Sequence, residues 1–431
     1  MTVRPVALPA ALNPLPQAPL CVGYSGGLDS TALLHALAAL PAARQAGLRA
    51  WHVHHGLHEH ADEWAAHCQS TCHALGIALT VSRVEVAPRG QGREAAARHA
   101  RYAAFADGLG DGEVLVLAHH RDDQAETFLL RAVRASGPDG LGAMRRWREC
   151  GRGQLWRPLL QTPRPVLDSY AREHRLQWID DPSNTDLSLD RNFLRARVLP
   201  ALRERWPHAD AALAASAALC AQASDLLDVG DAEALAAAAT TDPSMLSLPA
   251  LQRLAPARRA RVLRRWVAGL GLPALPAAGI EQIEHCLLDS PIDGEATFAW
   301  HGAAVRVWRD LLHAAMSQPP LPPQWQACWD GRMPLDLPGG GSLALVGADR
   351  FEEIVSVHPR RGGERIVLPG RKHSHALKHV LQDLGVPPWE RARMPLLSAA
   401  DGKLLAAADR AYCARFDRWL RDRGACIQWR R

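Results

Sequence analysis

The stretch Leu20–Ser30, LCVGYSGGLDS, decides the fold of this chain. Its apolar half, Leu20–Tyr24, predicts a buried strand, and a helical pattern begins near Thr31, directly after the Ser-Gly-Gly turn. The glycines let backbone amides turn toward an anion, and the N-terminus of the helix adds a partial positive charge. We therefore expect a phosphate-binding loop between this strand and this helix.

The predicted loop consists of Ser25, Gly26, Gly27, Leu28, Asp29 and Ser30. It has no Lys and lacks the Walker spacing, so it is not the P-loop of kinases or GTPases. The carboxylate of Asp29 can hold Mg²⁺ beside the phosphates, and the two serines offer hydroxyl groups. The competing interpretation is a plain strand-to-helix turn with an Asp near the helix start.

The pattern around the loop predicts an α/β domain with a parallel, Rossmann-like sheet. Four short apolar runs predict strands at Leu20–Tyr24, Ala50–Val53, Ala78–Val84 and Glu113–Ala118. Three longer patterns predict helices at Ser30–Leu40, Glu59–Leu75 and Glu94–Leu109. Strands that alternate with helices of this length form βαβ units, and ligands bind beyond the carboxyl ends of their strands.

The alternation stops after about Arg157, and other domains follow. Residues 209–240 are rich in Ala with Leu at helical spacing, and Ser317–Pro323 (SQPPLPP) is a stiff linker. Short apolar runs and a late helix come after it. We expect a nucleotide-binding domain over residues 1–206, a helical domain that contacts RNA over 207–316, and a small α+β domain over 324–431.

Composition excludes several classes of protein. The 431 residues are 48% hydrophobic and 22% charged, which is typical of soluble globular chains. Nine scattered cysteines without a short repeating frame argue against a disulfide scaffold or a four-cysteine metal site. No run reaches roughly 18 uncharged apolar residues. The net charge of +5 permits a nucleic-acid partner without requiring one.

A second polar cluster lies in Leu117–Thr127, LAHHRDDQAET, at the end of the fourth predicted strand. Its candidate catalytic residues, together with that of the loop, are Asp29, His119, His120, Asp122, Asp123 and Glu126. These groups could bind Mg²⁺, hold an ammonium group or act as a general base. A two-metal hydrolase extended by His52, His54, His55 and His58 is an alternative, and so is a capped helix start.

These motifs resemble those of a known family. SGGLDS is similar to the loop of ATP pyrophosphatases (PP-loop enzymes), which split ATP between its α- and β-phosphates and transfer AMP to an oxygen. AHHRDDQAET and His52–Leu57 (HVHHGL) resemble the lysidine synthetase branch of that family, although His54 and His58 stand where the branch has Asn and Arg. The turn at Asp181–Asn184 and the helix start at Arg191 also match the branch.

The resemblance implies a set of residues that contact the RNA substrate. They are Arg98, Arg101, Arg191, Asn192, Arg195, Lys372, Lys378, Trp389 and Arg391. The last four belong to a basic C-terminal stretch in which an aromatic lies between cations, a pattern that suits RNA phosphates and a stacked base. Solvated helix faces and a core Trp are the competing interpretation.

The resemblance also implies an activity. A cytidine of isoleucine transfer RNA with a CAU anticodon would be adenylated by ATP with Mg²⁺, and free L-lysine would then displace AMP to give lysidine. Acidic or His side chains of the second cluster would bind or deprotonate lysine, and the sequence does not rank them. We expect a cytoplasmic protein without a membrane segment, and a homodimer is one alternative for its assembly.

Three rival functions use the same motifs. A transfer-RNA thiolase on this fold needs an activated Cys and paired CxxC cysteines, which the chain lacks. Asparagine synthetase needs a glutaminase domain with a Cys after Met1, where this chain has Thr2. An RNA-binding protein that retains a nucleotide fold without catalysis is the third.

Overall fold

The computed structural model describes residues 8–86, 93–287 and 297–430. Two compact units divide the chain, Met1–Gly230 and Asp231–Arg431. The boundaries of the three expected domains stay a prediction.

Unit 1 contains a six-stranded sheet. Its strands are β1 (Leu20–Gly23), β2 (Leu48–His54), β3 (Ala78–Arg83), β4 (Val114–Val116), β5 (Trp147–Cys150) and β6 (Gly153–Trp156). Their order is β3-β2-β1-β4-β6-β5, and all neighbours are parallel except the hairpin pair β5 and β6. The predicted parallel sheet and its first four strands are confirmed.

The β5–β6 hairpin was not predicted from the sequence. Three of the four β5 residues are exposed, so the strand has no apolar run that would indicate it. The hairpin turns at Gly151, whose φ is +56°, and Gly153 lies so close to the Glu113 carbonyl that an added Cβ would be 2.1 Å from the oxygen. A glycine is therefore needed where β6 joins the sheet.

Helices cover both faces of this sheet. In chain order they are α1 (Leu8–Ala11), α2 (Leu28–Ala38), α3 (Pro41–Gly47), α4 (Ala61–Leu75), α5 (Arg93–Gly108), α6 (Arg121–Ala132), α7 (Pro138–Leu141) and α8 (Arg164–Glu173). A 3₁₀ turn (Pro182–Thr185) then leads to α9 (Asp190–Phe193), a π-helical turn (Leu194–Val198) and α10 (Leu199–Arg205). The helices predicted around the sheet are present, with ends that differ by one or two residues.

Alternation along β1 divides the core of unit 1 between the two faces of the sheet. Leu20 and Val22 pack with residues of α2 and α8 on one face. Cys21 packs on the other face with Phe105 of α5 and Leu115 of β4. Because β1 is covered on both faces, its backbone and the loop that follows it are held rigidly.

The order of the strands predicts where a ligand binds. The chain proceeds from β1 outward to β2 and β3, and then returns to place β4 on the other side of β1. This reversal opens a crevice at the carboxyl ends of β1 and β4, the usual ligand site of such sheets. Both sequence motifs, Ser25–Ser30 and Leu117–Thr127, begin at these two ends, as predicted.

The helix α11 (Ala209–Ala238) runs from unit 1 into unit 2. It is the one helix of the described residues that could cross a membrane by length and composition, a test that core helices of soluble proteins also pass. Ser224 donates a hydrogen bond to Asp139, and buried Asp231 pairs with Arg261. These polar contacts attach the helix to each unit and do not indicate a membrane protein.

Unit 2 is mostly built from antiparallel strands. Its helices are α12 (Leu248–Gln252), α13 (Pro256–Gly269), α14 (Ala277–Gln282), α15 (Leu377–Asp383), α16 (Pro388–Arg393) and α17 (Ala414–Asp422), with a π-helical turn at Ile283–Leu287. The first sheet contains β7 (Met245–Ser247), β8 (Thr297–Trp300), β9 (Ala303–Trp308) and β10 (Leu311–Met316).

The remaining strands form three further sheets of five, three and two strands. They are β11 (Ala327–Trp329), β12 (Leu335–Asp336), β13 (Ser342–Val346), β14 (Val355–His358), β15 (Arg365–Ile366), β16 (His375–Ala376), β17 (Leu396–Ser398), β18 (Leu404–Ala407), β19 (Ala411–Tyr412) and β20 (Cys426–Arg430). The expected helical region and α+β end are present. The β7–β10 sheet was not predicted, because the sequence pattern indicated only helices in this region.

An ion pair between Arg49 of β2 and Glu113, which directly precedes β4, makes the stability of the fold depend on pH. Both carboxylate oxygens of Glu113 accept from Arg49, at 2.5 and 2.6 Å, and one also accepts from the Gly110 amide. Burial alone would raise the pKa of Glu113, but Arg49 and the amide hold it below its usual value. The pair therefore stabilises the fold above the usual Glu pKa, and this stabilisation is lost as pH falls through the depressed value.

We predict that Glu113→Gln lowers the free energy of unfolding by about 2 kcal/mol at pH 7. The difference from the wild type shrinks as pH falls below the usual Glu pKa, because Glu113 is then protonated in the unfolded chain, and it is lost once the folded carboxylate is protonated at its lower pKa. Urea denaturation at several pH values measures it. Asp111→Asn, which changes an exposed carboxylate, is the control and shifts stability by less than about 0.5 kcal/mol. An equal loss at neutral and acid pH would contradict the assignment.

Candidate active site

The Ser25–Ser30 loop is held in shape by its own hydroxyl groups. The hydroxyls of Ser25 and Ser30 lie 3.0 Å apart, and the Gly27 amide donates to the Ser25 hydroxyl over 3.3 Å. Thr31 donates to the Gly27 carbonyl from the first turn of α2. Because Gly27 is the N-cap of α2 and no side chain caps this end, the free amides of the helix start face the crevice.

Gly26 requires the absence of a side chain. Its φ is +84°, and an added Cβ would lie 2.6 Å from the Ile179 side chain and 2.9 Å from the Cys68 sulfur. The Ile179 amide donates to the Gly26 carbonyl over 2.9 Å. The segment that precedes the 3₁₀ turn therefore packs against the phosphate-binding loop, and glycine is the residue that permits this approach.

His120 joins the two motifs across the crevice. Its Nε2 lies 3.5 Å from Oδ2 of Asp29 and 3.5 Å from Oδ2 of Asp123, and its ring is almost fully buried. Burial alone would lower the pKa of His120, but Asp123, Asp29 and Asp122 together raise it above its usual value. These carboxylates therefore favour the protonated imidazole, which lies between the carboxylate of the loop and those of the second cluster.

His119 has the opposite character. Burial lowers its pKa to about 3, opposed by Asp123 and assisted by Arg157. Nε of Arg157 lies 3.3 Å from Nδ1 of His119, and a guanidinium can only donate. His119 is therefore neutral with its proton on Nε2, which makes it a hydrogen-bond donor and a poor base.

Basic side chains from α9 to α10 cover the second cluster. Arg195 donates to both oxygens of fully buried Glu126, at 2.8 and 3.1 Å, and lies 3.5 Å from Asp123. Arg203 donates to Asp122 over 2.7 Å. The spacing of Arg195 and Arg203 places them on one helical face, and that face packs on the start of α6.

Burial and pairing give the three acidic groups different properties. The pKa of Asp123 is lowered: burial would raise it, but the His120 ring, the His120 backbone N–H and Arg195 favour the carboxylate. Burial raises the pKa of Glu126 in spite of Arg195. Asp122 also accepts the backbone N–H of Arg164, at the start of α8. Asp122 and Asp123 thus line the crevice beside His120, although both oxygens of Asp122 also accept from Arg164 and Arg203. Both oxygens of Glu126 are occupied by Arg195.

Three helices begin around the crevice. They are α2 at Leu28, α6 at Arg121 and α8 at Arg164. Nε of Arg164 lies 3.8 Å from Oδ1 of Asp29, and that oxygen is buried without a hydrogen-bond partner. The helix N-termini and the cations give the crevice a positive potential that suits an anion.

The carboxyl end of β2 carries the histidine motif. Nδ1 of His52 lies 2.9 Å from the Tyr24 carbonyl oxygen, and Nε2 of His54 lies 3.2 Å from Asp62. Burial lowers the pKa of His55 to about 4, and nearby Arg101 lowers it further. His52 therefore supports the strand before the phosphate-binding loop, and the alternative of a histidine-rich metal site gains no support from these contacts.

The other predicted RNA contacts lie in different settings. Asn192 is buried and donates to the carbonyls of Ser183 and Asp186, so its amide nitrogen holds the 3₁₀ turn. Arg191 donates to the Thr127 hydroxyl over 3.3 Å. Arg98 lies over the Tyr102 ring at 5.1 Å.

The C-terminal candidates belong to unit 2. Lys372 and Lys378 are exposed. Trp389 is already stacked within the fold, with its ring 4.8 Å from that of His313, and Arg391 donates to the Val386 carbonyl over 2.6 Å. The lysines are open to a partner, whereas Trp389 and Arg391 also have structural contacts.

Sequence reasoning missed three site residues, Arg157, Arg164 and Arg203. Each lies far along the chain from the residue that it contacts, at separations of 38, 42 and 81 residues. A single sequence carries no signal for such pairings, apart from the rule that the residue after a strand of the parallel sheet faces the ligand edge, which applies to Arg157 after β6.

No group of three or more His, Cys, Asp or Glu side chains within residues 8–86, 93–287 and 297–430 is arranged to hold a metal ion. The cysteines whose side chains the structure describes are all free thiols: Cys21, Cys68, Cys72, Cys150, Cys220, Cys328, Cys413 and Cys426. The contacts therefore give no support to the hydrolase alternative, which requires a site enclosed by protein ligands.

Comparison with known families assigns each region of the chain. The PP-loop domain matches residues 5–202, the TilS substrate binding domain matches residues 246–313, and the TilS substrate C-terminal domain matches residues 355–429. The three matches follow one another in the order expected from the sequence.

Curated relatives match nearly the whole chain. The tRNA(Ile)-lysidine synthase of Xanthomonas campestris pv. campestris is 56% identical over 96% of this chain and 96% of its own. That of Xylella fastidiosa is 51% identical over 98% of both, and that of Pseudomonas syringae pv. tomato is 45% identical over 90% of this chain and 88% of its own. The chain therefore belongs to the tRNA(Ile)-lysidine synthase family, whose members are PP-loop ligases that use ATP to modify transfer RNA.

Proposed function

We propose that the crevice between β1 and β4 transfers AMP from ATP to O2 of the wobble cytidine in a CAU anticodon, and that lysine then displaces AMP at C2. The products are lysidine, AMP and pyrophosphate, and the modified transfer RNA reads AUA. The observation that carries the proposal is the junction of His120 with Asp29 and Asp123, because it joins the phosphate-binding loop to the cluster that would receive the amine.

The first step requires neutralisation of charge at the α-phosphate. The amide of Gly26 and the N-terminus of α2 would hold the phosphates, and a protonated His120 would offset the developing negative charge. These groups are fixed before the nucleotide arrives, so little reorganisation is needed in the transition state.

A Mg²⁺ ion fits beside Asp29. The buried Oδ1 of Asp29 has no hydrogen-bond partner, and a carboxylate oxygen is the ligand that Mg²⁺ prefers. With one protein carboxylate, the remaining ligands would be water and phosphate oxygens, as is usual for Mg²⁺ in nucleotide sites. The ion would supply further positive charge at the phosphates.

The second step requires an uncharged amine at the cytosine ring. Asp122 and Asp123 would attract the lysine ammonium group, since both line the crevice. His119 and His120 are unsuited to take its proton, because His119 is a donor at Nε2 and His120 is already charged. A carboxylate of the cluster is therefore the base that we propose.

The non-catalytic alternative leaves the polar crevice unexplained, and no paired cysteines support a thiolase. The enzyme would act in the cytoplasm on free transfer RNA. The exposed Lys372 and Lys378 of unit 2 would contact the phosphates of that RNA.

We predict that the protein incorporates labelled lysine into isoleucine transfer RNA with a CAU anticodon when ATP and Mg²⁺ are present. The label is retained by the RNA after acid precipitation. Transfer RNA with a GAU anticodon is the matched control and gains no label, because it has no wobble cytidine. Absence of label from the CAU transfer RNA under all magnesium conditions would refute the proposed substrate.

We predict that His119→Gln retains much more activity than His119→Ala. A glutamine amide places an N–H near the position of Nε2, whereas alanine removes the donor, a loss that lowers kcat on the order of 10²-fold at comparable sites. Steady-state lysine transfer measures both. The wild-type rate shows no ionisation of His119 between pH 5 and 9, because its pKa lies near 3. Equal loss in two folded variants would contradict the donor role.

A further inference from the structure

Three arginines surround the side chain of Tyr102 at the carboxyl edge of the sheet. The Cζ atoms of Arg98 and Arg148 lie 5.1 and 5.2 Å from the centre of the Tyr102 ring. Nη2 of Arg157 lies 3.3 Å from the Tyr102 hydroxyl oxygen. These residues, Arg98, Arg148 and Arg157, are called the Tyr102 arginine cluster below.

The positive charge of this cluster is not balanced by acidic groups. Arg157 is 3% exposed, and it donates to the Tyr102 hydroxyl, the Arg145 carbonyl and the His119 ring. All three acceptors are uncharged. Within the described part of the chain, no carboxylate forms an ion pair with Arg98, Arg148 or Arg157.

Buried charges in proteins are normally paired, so this arrangement needs a reason. Burial lowers the pKa of Arg157, which Tyr102 opposes and neighbouring Arg148 and Arg98 reinforce. Burial, Arg98, Arg191 and Arg157 also lower the pKa of Arg131 on α6. The cations thus repel one another, and a bound anion would relieve the repulsion.

The position of the cluster distinguishes it from the phosphate-binding loop. Arg157 follows β6, Arg148 lies on β5, and Arg98 lies on α5. At about 4.8 Å between neighbouring strands, the end of β6 is roughly 10 Å from the end of β1. Ser25–Ser30 has its own amides and helix start for the nucleotide phosphates, whereas the cluster lies on the far side of His119.

The exposure of the three arginines decreases from the edge of the sheet toward the crevice. Arg148 is exposed on the edge hairpin, Arg98 is half-buried, and Arg157 is buried against His119. Three cations arranged in this way suit an RNA strand that enters from solvent and brings one nucleotide to the crevice. An RNA base that leaves its stack carries its flanking phosphates with it, and guanidinium groups bind phosphates through paired N–H donors.

We propose that the Tyr102 arginine cluster binds a backbone phosphate of the RNA substrate beside the nucleotide that enters the crevice. This inference rests on the proposed function, since it assumes an RNA base at His119. Arg157 connects the cluster to the crevice, because the same guanidinium donates to His119 and to the Tyr102 hydroxyl.

The test compares two exposed arginines of one hairpin. Arg148→Ala weakens binding of CAU transfer RNA on the order of tenfold and lowers the slope of log Kd against log salt by about 0.7, the value for one phosphate contact in a single strand. The Kd for ATP measured without RNA stays unchanged. Arg152→Ala is the matched control, because Arg152 lies at the hairpin turn on the opposite edge of the sheet, and it alters none of these quantities.

Two results would overturn the inference. Weaker ATP binding in Arg148→Ala, with unchanged transfer RNA affinity and salt slope, would assign the cluster to the nucleotide. Identical behaviour of Arg148→Ala and Arg152→Ala would show that no phosphate binds there. These measurements require no turnover, so their failure is distinct from a failure of lysine transfer.

Discussion

The contact of His120 with Asp29 and Asp123 is the interaction on which the catalytic edge of this protein depends. It lies where the strand order reverses, between β1 and β4, and it connects two loops that are far apart in sequence. A positively charged imidazole between two carboxylates fixes the loop that would hold ATP relative to the cluster that would hold lysine. Without that charge, the carboxylates would repel each other across the crevice.

The electrostatic arrangement separates the two steps of the proposed reaction. On one side of His120, helix N-termini and Arg164 create a positive potential for the phosphates. On the other side, Asp122 pairs with Arg203, and His120 is the main group that lowers the pKa of Asp123, which also lies 3.5 Å from Arg195. Glu126 accepts two hydrogen bonds from Arg195. This ion pair within the protein occupies the buried end of the second cluster.

Much of the sheet and the position of the crevice could be predicted from the sequence. Leu20–Tyr24 and Glu113–Ala118 are apolar because both faces of their strands are buried, and that pattern indicates a parallel sheet. The Gly26 position was recognisable because a positive φ and a close approach by Ile179 allow only glycine. The rule that ligands bind at the strand ends then brought the two motifs together.

The features that could not be predicted from the sequence depend on contacts between segments that are distant along the chain. The pairing of Arg157 with His119 fixes the tautomer of a residue that the sequence could describe only as a possible base. The stacking of Trp389 on His313 shows that an aromatic between basic residues can serve the fold. The β7–β10 sheet was missed because its short strands include Ala, which is equally compatible with helices.

The most direct measurement is release of pyrophosphate from ATP in the presence of CAU transfer RNA, before lysine is added. Asp29→Asn keeps the size of the side chain and removes the charge that faces His120 and would hold Mg²⁺. The account predicts that the wild type releases pyrophosphate only with this RNA, and that Asp29→Asn slows release on the order of 10²-fold or more while its Kd for the RNA is unchanged. Release at the wild-type rate by folded Asp29→Asn would contradict the assignment of AMP transfer to this crevice.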